Sequence, residues 1–406
     1  MLTQADDIPG TVSGEDQLVD GARAAARALA GAARERDRTG RPDLEAFQSV
    51  RAAGVLRARI PREYGGPGTS FGTLCEAMME LATVDPAMTQ VLQPHHSFVE
   101  LIALVGTHPQ KERFFRGVLA GELWANAVVE RGVDSVLRWE ATADTGGGEV
   151  VVNGTKYYCT GSSYSDVLTV IANDDRGRPV CVMVDTRGVS IDDDWDAFGQ
   201  RATASGTVRF AAVEVDRESL VDLTFLVENR SYLGAAAQLM QCAIDAGIAR
   251  GALADAVDYV RTAARAWVDS GVDRATDDPY VQERVGRMRA MVTVSDTMVR
   301  TAASTVDAAH DAQLVRRCRG AELEELLVRA SADVAVAKVA STEASLRVSE
   351  MLFELGGAGA TQRERAYDRH WRNARAHTTH DPVQYKFKHL GRLELTGTAP
   401  PVNWYI

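Results

Sequence analysis

Residues 371–386 read WRNARAHTTHDPVQYK and gather two of the chain's eight histidines, His377 and His380, with Asp381 directly after the second. Imidazole is the side chain whose ordinary pKa lies near neutrality, so it can accept and return a proton within one cycle. A neighbouring carboxylate can fix which ring nitrogen carries that proton. The stretch is a candidate acid–base station, with His380 the favoured actor, His377 its support and Asp381 its orienting partner. Two other readings fit the same letters. A His-x-x-His pair on one helix face can bind metal, but no third ligand cluster accompanies it, and no metal is expected. A basic, solvated helix end would also collect arginine and histidine.

The rest of the chain narrows the chemistry. No Gly-x-Gly-x-x-Gly follows a strand and there is no P-loop, so no nicotinamide or nucleotide-phosphate site is recognisable. A net charge of −11 disfavours sequence-independent nucleic-acid binding, which needs a basic footprint. No apolar run is long enough to span a membrane. The opening MLTQADDIPGTVSGEDQ is acidic and polar, unlike the basic-then-apolar layout of a secretory leader. Cys75, Cys159, Cys181, Cys242 and Cys318 are scattered without a Cys-x-x-Cys pair, as reduced thiols would be. A cytoplasmic, multi-domain protein is expected.

Something must position the histidines, and the chain divides by texture into three regions. Residues 1–124 read as helical: LVDGARAAARALAGAARERD is Ala-rich, DLEAFQSVRAAGVL offers Asp43 as an N-cap, and PREYGGPGTS is a turn-rich break. Residues 125–220 change to β-branched and aromatic runs: EVVVNGTKYYCTG, VLTVIAND, PVCVMVDT and TVRFAAVEV. Asn153-Gly154 predicts a hairpin, and the spacing of the runs predicts a small antiparallel barrel or sandwich. Residues 221–406 return to long helices. Leu323, Leu327, Ala330, Val334, Ala337, Ala344, Val348 and Met351, with Ser341 filling the gap, form a continuous seam ending at Gly356-Gly357. Such helices pack as an antiparallel bundle. The fold class is α+β: a helical domain, a middle antiparallel β-domain and a C-terminal four-helix bundle.

That order, with IPREYGGPG, WANAVVERGVDS, NGTKYYCTGS, DDDWDAFGQRATASGTVRF, TDDPY, FELGGAGAT and DRHWRNARAHTTHDPVQYK spaced along nearly the whole chain, resembles the acyl-CoA dehydrogenase superfamily. Within it the chain is similar to the flavin-dependent monooxygenases that act on thiophenes, indoles and aminosugars. The resemblance implies that the backbone at Val128 and Val129 and the hydroxyl of Thr160 face a flavin ring. It also implies that Trp195 stacks near that ring and that Asn126 holds a substrate heteroatom or the reacting oxygen. Arg261 and Arg265, one turn apart on a helix, become candidates for the flavin phosphate. Gly356 and Gly357 become the turn by which a neighbouring subunit approaches the cofactor. Gln90, His95 and His96 are placed toward the substrate. Gln90 and Pro94 stand where the branch's thiophene enzymes carry histidine and tyrosine, which points to a pocket shaped for another molecule.

Asp381 falls where many dehydrogenases of the superfamily carry their catalytic glutamate. It is one methylene shorter, and Pro382 holds its backbone extended. His377 to Pro382 instead match the oxygenase pattern residue for residue. The expected function is a two-component monooxygenase using reduced flavin, FMNH2 or FADH2, and O2 through a flavin C4a-hydroperoxide. Its substrate would be a heteroaromatic or amine, its flavin would come from a separate NAD(P)H:flavin reductase, and it would assemble as a homotetramer. The alternatives are an acyl-CoA dehydrogenase using Asp381 as base and a non-catalytic flavin- or ligand-binding member of the fold.

Overall fold

The computed structural model describes residues 14–403. The acidic start of the chain, read as unlike a leader, lies largely in residues 1–13, outside the described residues.

Among the described residues seven α-helices come first: α1 (Gly14–Ala30), α2 (Ala33–Thr39), α3 (Leu44–Ala52), α4 (Phe71–Ala82), α5 (Pro86–Gln90), α6 (Leu92–Val105) and α7 (His108–Leu119). Local signals set several of their starts. The Asp43 side chain accepts from Ala46 N–H at 3.0 Å, Ser70 caps α4, and Thr107 with Gln110 closes a capping box on α7. In α1 the residues Leu18, Ala22, Ala25, Ala26 and Leu29 are buried, an apolar stripe at helical spacing.

The middle region is an eight-stranded sheet among the described residues: β1 (Trp124–Ala127), β2 (Thr142–Asp144), β3 (Val150–Lys156), β4 (Val167–Asp174), β5 (Pro179–Asp185), β6 (Ser190–Asp192), β7 (Thr207–Val215) and β8 (Leu220–Asp222). The order is β6-β7-β3-β2-β4-β5-β8, with β1 paired to β4. Most neighbours run antiparallel; β1 and β2 each pair with β4 in parallel, so the sheet is mixed. Leu168, Val170, Ile171 and Ala172 of β4 are all buried, as expected for a strand covered on both faces.

Asn153-Gly154 does not make the expected hairpin. The pair lies inside β3, where the register against β7 shifts between Val152 and Gly154. Asn153 Oδ1 accepts from Ala212 N–H at 2.8 Å, and Gly154 has φ +146. A Cβ on Gly154 would sit 2.6 Å from the Ala141 side chain. The dipeptide serves a bulge rather than a turn, the other place where a strand needs glycine.

The chain then returns to helix with α8 (Thr224–Glu228), α9 (Leu233–Thr262), α10 (Pro279–His310), α11 (Gly320–Ala360), α12 (Asp368–Thr378) and α13 (Val383–Thr396). Asp278 caps α10 by accepting from Tyr280 N–H at 2.8 Å, with Pro279 at the first helical position. The predicted seam of α11 is buried from Leu327 to Met351, and its helical geometry breaks at Gly357, φ +51 and ψ −147. Helices α9, α10 and α11 pack on one another, and α4 lies against α9. Gly247 and Gly251 allow that approach: a Cβ there would meet Met79 O at 2.8 Å and Thr83 O at 2.3 Å. Among the described residues no helix is long and apolar enough to cross a membrane.

His95 ties the helical domain to the sheet. Its Nε2–H donates to Leu56 C=O at 2.9 Å, and its Nδ1 accepts from Trp124 N–H at 3.1 Å. Both ring nitrogens are committed to backbone, so His95 is a structural clamp, not the substrate-facing residue expected of it. His96 is also fully buried, its ring 5.0 Å from that of His95, and its nitrogens meet no hydrogen-bond partner in the protein. It too is enclosed in the core.

Burial lowers the pKa of His95 from 6.5 to about 4, so the folded ring is neutral and the unfolded ring binds more protons between those values. The clamp's contribution is therefore full above pH 6.5 and is lost as pH falls toward 4, by up to about 3 kcal/mol. His95→Gln should lower the urea midpoint at pH 7.5, and its deficit relative to the parent chain should shrink steadily between pH 6.5 and 4.

Candidate active site

Helix α12 carries His377 in its last turn, and His380 follows in the turn before α13. His377 is buried with Nδ1 2.6 Å from Asp245 Oδ1 on α9 and Nε2 2.9 Å from Gln90 Oε1 at the end of α5. The other oxygen of Asp245 accepts from Lys338 Nζ of α11 at 3.2 Å. Lys338 also reaches Gln241 Oε1 at 3.4 Å, and Gln241 Nε2 lies 3.2 Å from His380 Nδ1. The same nitrogen is 3.4 Å from Asp381 Oδ1, whose other oxygen pairs with Lys386 Nζ of α13 at 3.0 Å. Seven side chains, Gln90, His377, Asp245, Lys338, Gln241, His380 and Asp381, thus connect through one buried ion pair.

Asp245 and Lys338 are both fully buried. Desolvation opposes each charge, yet each supplies the other's counter-ion: the carboxyl pKa ends lowered and the ammonium pKa raised. For His377 desolvation prevails over the nearby carboxylate and the ring is held neutral. With the neutral ring donating Nδ1–H to Asp245, Nε2 has no proton to give, so the 2.9 Å contact with Gln90 becomes a hydrogen bond only when the amide is flipped to bring its NH2 in place of Oε1. Burial opposes the Asp381 charge too, but the His380 contact and the two lysines outweigh it and hold this carboxyl well below the usual range.

A second group of candidates lies on the sheet. Asn126 of β1 gives its Nδ2–H to Tyr158 C=O at 3.5 Å, while its Oδ1 is buried without a partner in the protein. Val129 C=O accepts from Tyr157 N–H at 2.9 Å, and Val128 C=O accepts from the buried Lys156 ammonium at 3.3 Å. Trp195 sits edge-on to Tyr158, ring centres 6.0 Å apart, and donates its indole N–H to Gln200 C=O at 2.8 Å. Thr160 joins a hydroxyl chain: Thr160 to Ser205 at 2.9 Å, Ser205 to Thr203 at 2.7 Å, Thr203 to Gln200 C=O at 2.9 Å. A carbonyl only accepts, so Thr203 donates to it, Ser205 donates to Thr203, and Thr160 donates to Ser205. Thr160 therefore presents lone pairs, not its proton, to any further partner. Beside it, Gly161 lies within 3.4 Å of both Val91 and Ala125 at the position of a Cβ, which sets this turn against β1 and the end of α5.

A buried amide oxygen without a partner, an acceptor hydroxyl and a tryptophan suit a planar, polar-edged ring such as a flavin. Both amide atoms of Gln200 are likewise buried and unpartnered. These residues fit the group. The phosphate candidates lie elsewhere. Arg261 is exposed at the end of α9, about 30 Å along that helix from Gln241. Arg265 is exposed in the loop beyond Thr262, so the two do not share a helix turn as expected, because α9 has already ended. Gly356 and Gly357 stand near the same end, where Gly356 C=O accepts from Tyr259 O–H at 3.2 Å. Within one chain none of these four reaches the histidines.

Gln241, Asp245, Lys338, Lys386 and Ser205 were not singled out from the sequence. Three of them had a signal: a lone carboxylate, one of two amides and a lone ammonium inside AAAQLMQCAIDAGIA and VAVAKVAS, segments otherwise apolar or small. A charge there must be buried, and a buried charge must be paired. Among the described residues no group of three or more His, Cys, Asp or Glu could hold a metal ion.

Family models for acyl-CoA dehydrogenases match in three parts: the N-terminal domain over 14–122, the middle domain over 127–213 and the C-terminal domain over 239–385. The chain is 34% identical to a dibenzothiophene monooxygenase of Rhodococcus erythropolis over 383 residues, covering 90% of each. It is 31% identical to a probable FMNH2-dependent monooxygenase, SfnC, of Pseudomonas putida, covering 95% of this chain and 97% of that one. The crystal structure of TdsC from Paenibacillus sp. A11-2 with FMN and indole superposes with a TM-score of 0.89 at 31% identity, covering 96% of this chain and 100% of that one. The chain belongs to the acyl-CoA dehydrogenase family, in its flavin-dependent monooxygenase branch.

Proposed function

We propose that this flavin-dependent monooxygenase takes reduced flavin from a separate NAD(P)H:flavin reductase and inserts one atom of O2 into a heteroaromatic substrate of the indole or thiophene kind. FMNH2 is the favoured form, since a relative is named for it and a similar structure holds FMN with indole. The observation that carries the reading is the paired-histidine station, in which neutral His377 is locked on Asp245 and His380 faces both a donor and an acceptor. When bound, the reduced flavin supplies the electrons that activate O2. Every other task falls to the chain.

Thr160, fixed as an acceptor, suits an N–H on the edge of the reduced ring, which the oxidised ring lacks at its central nitrogen. Asn126 Oδ1 is available for an N–H of substrate or cofactor. His380 delivers and recovers the proton at the reacting oxygen, and His377 supports the turn from which it does so. Gln90, in contact with His377, forms the polar edge of the substrate space. Arg261, Arg265, Gly356 and Gly357 gather at one end of the bundle, which supports a role for them across a subunit boundary in a homotetramer. The dehydrogenase alternative is disfavoured by Asp381 itself: a carboxyl held far below its usual pKa and already paired with Lys386 is a weak base.

His380→Ala should retain flavin binding and lose product by roughly 10²–10⁴-fold, the range for a removed acid–base group. The consumed oxygen should then appear as hydrogen peroxide. Product and peroxide measured under equal reduced-flavin supply, with indole and dibenzothiophene as substrates, check this. Retention of product by His380→Ala alongside a dead Asp381→Asn would instead return the base to the carboxylate.

The flavin supply is tested separately. With NADH or NADPH, FMN and indole, the purified chain should consume no substrate until a flavin reductase is added. Turnover by the chain alone would overturn the two-component reading.

A further inference from the structure

We infer that Gln241 and Lys338 are positioning residues that set the protonation state of His380. The inference rests on the role proposed above for that histidine, but its geometry stands by itself. An ammonium has only donors, so Lys338 can meet Gln241 only at the amide oxygen, 3.4 Å away. That contact fixes the amide's orientation and turns its NH2 group to His380 Nδ1 at 3.2 Å. A nitrogen that accepts a hydrogen bond carries no proton, so the neutral His380 ring holds its proton on Nε2.

Asp381 supplies the opposite preference at the same atom. Its Oδ1 lies 3.4 Å from His380 Nδ1 and can only accept. The neutral ring is favoured by the amide and the doubly protonated ring by the carboxylate, with neither partner having to move. A proton can then enter and leave at Nε2 while Nδ1 changes from acceptor to donor in place. Lys338 performs this orienting task and, through Asp245, also fixes His377.

The groups around this cluster are Asp381 and Lys386, Lys338 on α11, Asp245 and Cys242 on α9, and His377 on α12. Two carboxylates face two ammonium groups, and the Cys242 thiol, pushed up to about 12 by burial, stays neutral. His380 is the half-exposed ring of this cluster, while His377 is held neutral by burial.

The test is histidine-ring NMR on the full chain with isotope-labelled histidine, the His380 signal assigned with His380→Gln. The parent chain should show a neutral His380 protonated at Nε2. Gln241→Leu removes the donor that favours the neutral ring and should raise the titration midpoint by roughly 0.5–1 pH unit. Asp381→Asn removes the acceptor that favours the charged ring and should lower it. Lys338→Arg should keep the Nε2–H form, and Lys338→Met should lose it. A parent ring protonated at Nδ1, or a midpoint that Gln241→Leu leaves in place, would overturn the inference. Should Lys338→Met not fold, the Gln241 and Lys338→Arg results decide alone. Opposite shifts without any oxygenation of indole or dibenzothiophene would support the positioning and overturn the functional reading.

Discussion

Asp245 and Lys338 sit at full burial in an Ala-rich bundle, and much else follows from that pairing. Withdrawing two ions from water costs several kcal/mol each, and only close contact and further hydrogen bonds offset it. The pair meets those demands by recruiting neighbours: Asp245 uses its second oxygen on His377, and Lys338 uses a further proton on Gln241. The requirement to satisfy two buried charges thus orients the side chains that face the reaction. It also ties α9, α11 and α12 together at one level of the bundle. Removing one partner alone would strand the other charge, at a cost of about 3–5 kcal/mol.

Helix α12 extends this constraint to the other two regions. Arg372 pairs with Asp37 of α2 at 2.6 Å and donates to Phe198 C=O at 2.9 Å. Asn373 donates to Asp37 and accepts from Gln200 N–H at 2.5 Å. Gly199 lies so close to Arg372 C=O that a Cβ would overlap it. One turn before His377, then, the helix is fastened both to the N-terminal domain and to the loop that ends the Thr160 hydroxyl chain. The histidines and the sheet candidates are held in one frame because they share this helix.

Much of this was legible in the sequence, and the failures have physical causes. The seam of α11 and the cap at Asp43 depend on local spacing, which a sequence displays directly. The Asn153-Gly154 pair was misread because a bulge and a hairpin ask for the same residues, and only the partner strand decides between them. His95 was placed toward the substrate by the family resemblance; its actual bonds go to Leu56 and Trp124, far away in sequence. Asp381 was expected to orient His380, and the Gln241 amide that shares the same ring nitrogen lies on another helix. Adjacency along the chain is visible without a structure, whereas contacts between helices are not.

The charge balance of the cluster also bears on how such a chain can change over generations. Asp245, Lys338, Asp381 and Lys386 form two opposite pairs, each with its members buried. A replacement that alters the charge at any one of them leaves a stranded ion, while a matched replacement at its partner restores neutrality. Fitness effects at these four sites are therefore conditional on one another, since contacting residues do not contribute additively. Drift there must proceed by coupled steps, or through an intermediate stable enough elsewhere to survive the first.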